Sequence, residues 1–234
     1  PGVVLLEGRQ HYHQALLHWR KIGNPSNLAM TLQSLGVVHQ YQGQYAEAQN
    51  RFEESLARAR DHDAPRLQVY ALLNLGDLAR DTNQYDRAQE IYQQALDLAS
   101  ATSITNLILY AQIAQADLAR LRGEHLQASR ILVETQDQID VSRMPYEAAL
   151  CYLALGALRS EQGDVAAAKQ ALSTALDLFT RFGMQRELAR THLHLALLAY
   201  RQNPEQTPVI ERELRLHLAR VADLRQELGS AQFI

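Results

Sequence analysis

The chain has 234 residues, 47% of them apolar, enough for one or two domains or one elongated array with a sizeable core. Its 26 acidic and 23 basic residues leave a formal charge of −3, without the basic excess that direct nucleic-acid binding requires. A single cysteine, Cys151, excludes an internal disulfide framework, and no apolar run reaches the length of a membrane span, so a cytoplasmic chain with no membrane contact is expected.

Glycine (11) and proline (6) are scarce, whereas Ala, Leu, Gln, Arg and Glu abound. These are strong helix formers, and Val and Ile never alternate cleanly with polar residues, so the fold is expected to be all-α. The opening "PGVVLLEGRQ" has no basic n-region and no initiator Met. It reads as a piece of a longer protein rather than as a signal peptide.

Taken in chain order, residues 3–22 come first. Tyr12, Ala15 and Leu16 stand 40 positions before Phe52, Ser55 and Leu56. The segment is therefore expected to be the second helix of a unit whose first helix is absent, with an apolar face open to self-association. Next, "LGVVHQYQGQYAEAQNRFEESL" (Leu35–Leu56) returns 40 residues later as "LGDLARDTNQYDRAQEIYQQAL" (Leu75–Leu96). Leu-Gly, Tyr45/Tyr85, Ala48/Ala88, Phe52/Tyr92 and Leu56/Leu96 coincide. A weaker copy follows with Ala116, Gly123, Ala128 and Leu132, then a strong one at Leu155–Leu176, then Leu195-Ala196. Pro25, Pro65 and Pro145 share one phase. Self-similarity at a fixed period of this size means stacked repeats.

Each unit reads as two amphipathic helices, A then B. Leu28, Leu32 and Leu35 fall at helical spacing, and Gly43, Asn83, Gly123, Gly163 and Asn203 mark the A–B turns. Helix pairs are expected over 26–62, 65–102, 104–140, 144–183 and 185–228, the last one degenerate and capping, all in one array over 1–234. With the leading segment this makes about eleven helices. Gly36, Gly76 and Gly156 on helix A, and Ala48, Ala88 and Ala168 on helix B, are expected to let the paired backbones approach. Phe52 and Tyr92 are expected to fill the gap to the next unit.

The Leu-Gly of helix A, the Ala-x-x-x-aromatic of helix B and the junction proline resemble the tetratricopeptide repeat. "AEAQNRFEESLARARDH" and "YDRAQEIYQQALDLA" are similar to the tetratricopeptide regions of large bacterial transcription activators, of the maltose-activator and Streptomyces-antibiotic-regulator types. The resemblance implies a right-handed superhelical solenoid. It also implies a non-catalytic protein-interaction or ligand-sensing module of a transcriptional or signalling regulator. The alternative is a stand-alone scaffold with no regulatory ligand. The occupant of the concave groove would be a protein or peptide segment, or a small-molecule inducer. The inward helix-A positions that the resemblance marks for binding are Gln40, Tyr41, Tyr70, Asn74, Asp77, Arg80, Asp81, Tyr110, Asp117, Arg120, Arg190, His194 and Arg201. "GDLAR" and "ADLAR" place Asp77/Arg80 and Asp117/Arg120 at i, i+3, where each pair is expected to interact along its own exposed helix face.

No phosphate-binding glycine loop, no H-E-x-x-H and no C-x-x-C occurs. His11/His13 and His192/His194 point to different sides of a helix, and Cys151 has no nucleophile-activating partner in view. Neither a catalytic residue, a metal site nor a cofactor is expected.

Overall fold

The computed structural model describes residues 2–202 together with 212, 215–217, 219 and 220, and side chains from residue 11 onward except 13, 185 and 186. The expected Asn203 turn and most of the expected 185–228 pair lie outside the described residues. The helices are α1 (Gly2–Ile22), α2 (Pro25–Tyr41), α3 (Tyr45–Asp61), α4 (Pro65–Asp81), α5 (Tyr85–Ala101), α6 (Thr105–Leu121), α7 (His125–Gln136), α8 (Pro145–Glu161), α9 (Val165–Arg181) and α10 (Gln185–Gln202). Among the described residues there is no strand.

The period of 40 resolves into two half-periods of 20. Most helices have 17 residues and are joined by three-residue turns. Each turn is a Schellman motif. Gly43 N–H bonds Gln40 O and Gln44 N–H bonds His39 O, closing the carbonyls left open at the end of α2. The left-handed residue recurs at Gly43 (φ 73°), Asp63 (45°), Asn83 (59°), Ser103 (54°), Gly123 (78°), Gly163 (81°) and Gly183 (64°). Pro25, Pro65 and Pro145 occupy the first turns of α2, α4 and α8, where no N–H is needed.

The chain divides into two compact units, Pro1–Leu118 and Ala119–Gln232. In the first, α1 seals the start of the core. Leu16 meets Leu28, Leu32 and Leu35, flanked by Tyr12 and Trp19. Beyond it, Phe52, Val69, Leu72, Tyr92 and Leu107 form one continuous apolar cluster. In the second, Leu132, Leu158, Leu172 and Phe179 are wholly buried.

The helix-A glycines lie directly against the large side chains of helix B. A Cβ on Gly36 would overlap the ring of Phe52, and one on Gly76 the ring of Tyr92, at 2.5 Å from Cδ1. Gly156 faces Leu172 in the same way, 2.6 Å from Cγ. The small residue on helix A is thus a seat for the large side chain of its own helix B. The aromatic is therefore not only a wedge toward the next pair.

The third pair departs from the rest. Its second helix, α7, has 12 residues and stops at Gln136, short of residue 140. Asp140 accepts hydrogen bonds from the Ser142 hydroxyl (2.6 Å) and N–H (3.0 Å), a local turn that competes with helical bonding. Those bonds, the hydroxyl's first, also hold the Asp140 carboxyl below its ordinary range.

Candidate functional site

In the first unit, α2 and α4 lie side by side. Their C-terminal ends, with α6, carry most of the residues marked for binding. Six of these form one connected network. Gln40 Nε2 donates to Asp81 Oδ2 (2.7 Å). Arg80 bridges Asp81 (2.8 Å), Asp77 (3.1 Å) and Asp117 (3.8 Å). Asp77 also accepts from the hydroxyls of Tyr92 (2.6 Å) and Tyr110 (3.4 Å).

The centre of the network, Asp77, Arg80 and Tyr92, is enclosed, which alters the meaning of its members. The expectation of an exposed i, i+3 pair at Asp77 and Arg80 is corrected: their side chains keep only 9% and 12% of their surface exposed. Burial works against the Arg80 charge, but Asp77, Tyr92, Asp117 and Asp81 more than offset it and hold the guanidinium protonated. Burial first, and then the Asp77 carboxylate, push the Tyr92 hydroxyl well above its ordinary range, so it stays a donor. Tyr92 had been read as scaffold only; its repeat position carries Phe or Leu in the other pairs, and the added hydroxyl was the available signal.

What the network leaves open is a strip of α4 and α2. Tyr70 (37% exposed) and Tyr41 (46%) present their rings outward. Asn74 lies half-buried one turn along α4 from Tyr70, and neither of these two side chains makes a hydrogen bond among the described residues. Tyr70, Asn74, Asp77 and Asp81 follow i, i+4, i+7, i+11 and so share one helix face.

In the second unit the marked residues lie at the end of α6 and along α10. Arg120 is 8% exposed and bonds Glu161, which also meets His125 (3.5 Å); the expected exposed position of Arg120 is corrected. Arg201 donates to Ser160 (3.2 Å), while Arg190 and His194 lie half-buried on α10. A common rule links the units. Gln40–Asp81, Arg120–Glu161 and Ser160–Arg201 each join residues 41 apart, one helix A to the next. These three bonds tie neighbouring A helices at their C-terminal ends.

His192 on α10 meets His217, with Nδ1 atoms 2.9 Å apart. Burial, then the charges of His217 and Arg220, push His192 down to about 4. A folded value below the unfolded one, about 6.5, means stability is complete above pH 6.5 and falls as pH drops toward 4. The melting temperature is therefore expected to fall between pH 7 and pH 5, and less so in His192→Asn; parallel pH curves for the two proteins would refute the assignment.

Burial pushes the Cys151 thiol up to about 12, so it carries no thiolate at neutral pH. Among the described residues no group of three or more His, Cys, Asp or Glu could hold a metal ion, and no helix is long and apolar enough to cross a membrane.

Residues 5–61 match a family model described as tetratricopeptide repeat, and residues 71–103 match a second with the same description. Neither description is that of an enzyme. No curated protein matches the sequence. The fold is similar to the crystal structure of BtubC (BKLC) from P. vanneervenii, with a TM-score of 0.64 at 18% identity over 96% of this chain and 92% of that one. It is also similar to the apo form of RapI, with a TM-score of 0.68 at 16% identity over 98% and 87%. The chain thus carries tetratricopeptide repeats in an all-α fold of antiparallel helix pairs.

Proposed function

We propose that the chain is a non-catalytic interaction module that takes a peptide segment of a partner protein along the α2–α4 face. The observation that carries this is the contrast within that face. Gln40, Asp77, Arg80, Asp81, Tyr110 and Asp117 are bonded to one another and form a fixed floor. Tyr70 and Asn74 stand on the same side of α4 with their polar ends unbonded. A rigid floor lowers the ordering cost of binding, and an exposed tyrosine beside an unbonded amide offers a contact that a peptide backbone can complete. Interaction is also what tetratricopeptide repeats supply in general.

The finer setting is that of a large cytoplasmic bacterial regulator, transcriptional or signalling, in which the repeats receive a partner or an inducer. The similarity of the Ala46–His62 and Tyr85–Ala99 segments to such regulators supports it.

Selection of binding peptides from a random display library tests the interaction. Tyr70→Ala and Asn74→Ala are each expected to weaken the selected peptides by more than 1 kcal/mol, about fivefold or more, with unchanged melting. Peptides that bind both variants as tightly as the parent would place the site elsewhere.

A further inference from the structure

A cavity lies at the break after α7. Two sequence changes open it. First, the early stop of α7 removes a helical turn. Positions 59, 99 and 179 hold residues buried at the ends of α3, α5 and α9, namely Ala59, Ala99 and Phe179. The corresponding Ile139 lies in the loop after α7 and is only half-buried. Second, Ala148 on α8 stands at the repeat position that elsewhere carries Leu28, Gln68, Ile108 and Leu188. In the α3–α4 junction Gln68 closes this corner by donating to Ala59 O (3.2 Å); Ala148 has nothing to reach with. The result is a half-open cavity of about 370 Å³ within the second unit. That lies inside the range, roughly 300–1,000 Å³, of small-molecule sites.

Its walls divide by chemistry. Ile139, Val141, Ala148 and Cys151 supply an apolar surface. Gln136, Asp137 and Tyr152 supply three polar side chains, none of which makes a hydrogen bond or ion pair among the described residues. This is unlike the first unit, where the polar side chains at the ends of the A helices bond one another. No Lys or Arg lines the cavity, and the nearby Arg143 is turned to Asp140 (3.6 Å). Asp137 is also the residue that caps the C-terminal end of α7, where the helix dipole is negative. Carboxylate and dipole therefore favour the same sign of charge.

We propose that this cavity is a binding site for a small organic cation, a primary ammonium on a compact apolar body. The ammonium bonds Asp137, with Gln136 and Tyr152 within the same lining, and the body rests against Ile139, Val141 and Ala148. The Cys151 thiol is a neutral part of the wall and takes no part in covalent chemistry. The site is separate from the α2–α4 face and stands or falls independently of the peptide reading.

The test uses the full chain with labelled Ile, Val and Ala methyl groups and three probes of one shape: 2-phenylethylamine, 2-phenylethanol and 3-phenylpropanoate. At pH 7 the amine is expected to shift the Ile139, Val141 and Ala148 methyl resonances. The alcohol and the carboxylate should bind about tenfold more weakly or not at all. Asp137→Asn should reduce amine affinity by about tenfold, removing the preference over the alcohol. Val141→Trp, at an exposed loop position, should fill the mouth and abolish binding. Both variants should melt as the parent does, since both positions are exposed. Equal binding of amine and alcohol, an unaffected Asp137→Asn, or the absence of any amine-induced shift at these methyls would overturn the proposal.

Discussion

Gly76→Leu is expected to destabilise the first unit by about 3 kcal/mol or more, the upper end of the range for overpacking a filled core. The Cβ position already lies 2.5 Å from Cδ1 and 3.1 Å from Cζ of Tyr92, so even a methyl group cannot enter without moving the ring. Relief by rotation is blocked. Tyr92 is wholly buried, and its hydroxyl is fixed to Asp77 at 2.6 Å. Moving the ring would break that bond and unsettle Arg80, which shares Asp77. The helix-propensity gain of replacing glycine, about 1 kcal/mol at most, does not offset this. Thermal unfolding should shift down by roughly 6–12 °C for a chain of this size. Gly76→Ala should fall between parent and Leu. A Leu variant that melts with the parent would mean that Tyr92 is not seated on Gly76.

Much of the repeat was legible because its punctuation is chemical. A proline at the start of helix A and a glycine or asparagine at its end each have one economical backbone position, so Pro65 and Asn83 bracket α4 before any packing is considered. Asp63 and Ser103 were not recognised as turns of the same kind, since nothing in their side chains demands a positive φ. Without them the period was read as 40 rather than as twice 20. The early end of α7 was hidden for a related reason. "VETQDQIDV" keeps helical spacing, and the turn that Asp140 forms with Ser142 beyond the end of α7 depends on a side-chain bond that the spacing does not reveal.

The candidate site was half legible. Its residues could be placed on helix A by register alone, and six of them do meet. Their burial could not be read, because it depends on which residue of the next helix A lies alongside, a step of 41 that no single helix reveals. Arg120 therefore looked like a solvated partner of Asp117, while Glu161, with which it bonds, drew no attention at all. The exposed members, Tyr41 and Tyr70, differ from the buried ones by nothing visible in the local sequence.

The same burial sets the second large effect. Arg80 reaches Asp77, Asp81 and Asp117, and it is mostly enclosed. Arg80→Met keeps much of the side-chain volume and removes the charge. The enclosed Asp77 carboxylate then loses its cation and retains only the hydroxyls of Tyr92 and Tyr110. Removing one partner of a buried ion pair typically costs about 3–5 kcal/mol, because the remaining charge is stranded. The loss should depend on pH in a defined direction. Acid removes carboxylate charge and with it the cost of leaving Asp77 without its cation, so the gap between variant and parent should be smaller at pH 4.5 than at pH 7. In the parent the guanidinium stays charged throughout, so Arg80 itself adds no such dependence. Adding Asp77→Asn to Arg80→Met should recover part of the loss at pH 7, since it removes the stranded Asp77 charge while leaving an acceptor for Tyr92. Denaturation curves of parent, single and double variants at pH 7 and pH 4.5 measure these terms. An Arg80→Met chain that loses less than about 1 kcal/mol at pH 7, the range of an exposed pair, would return the network to the solvated face on which the sequence had placed it.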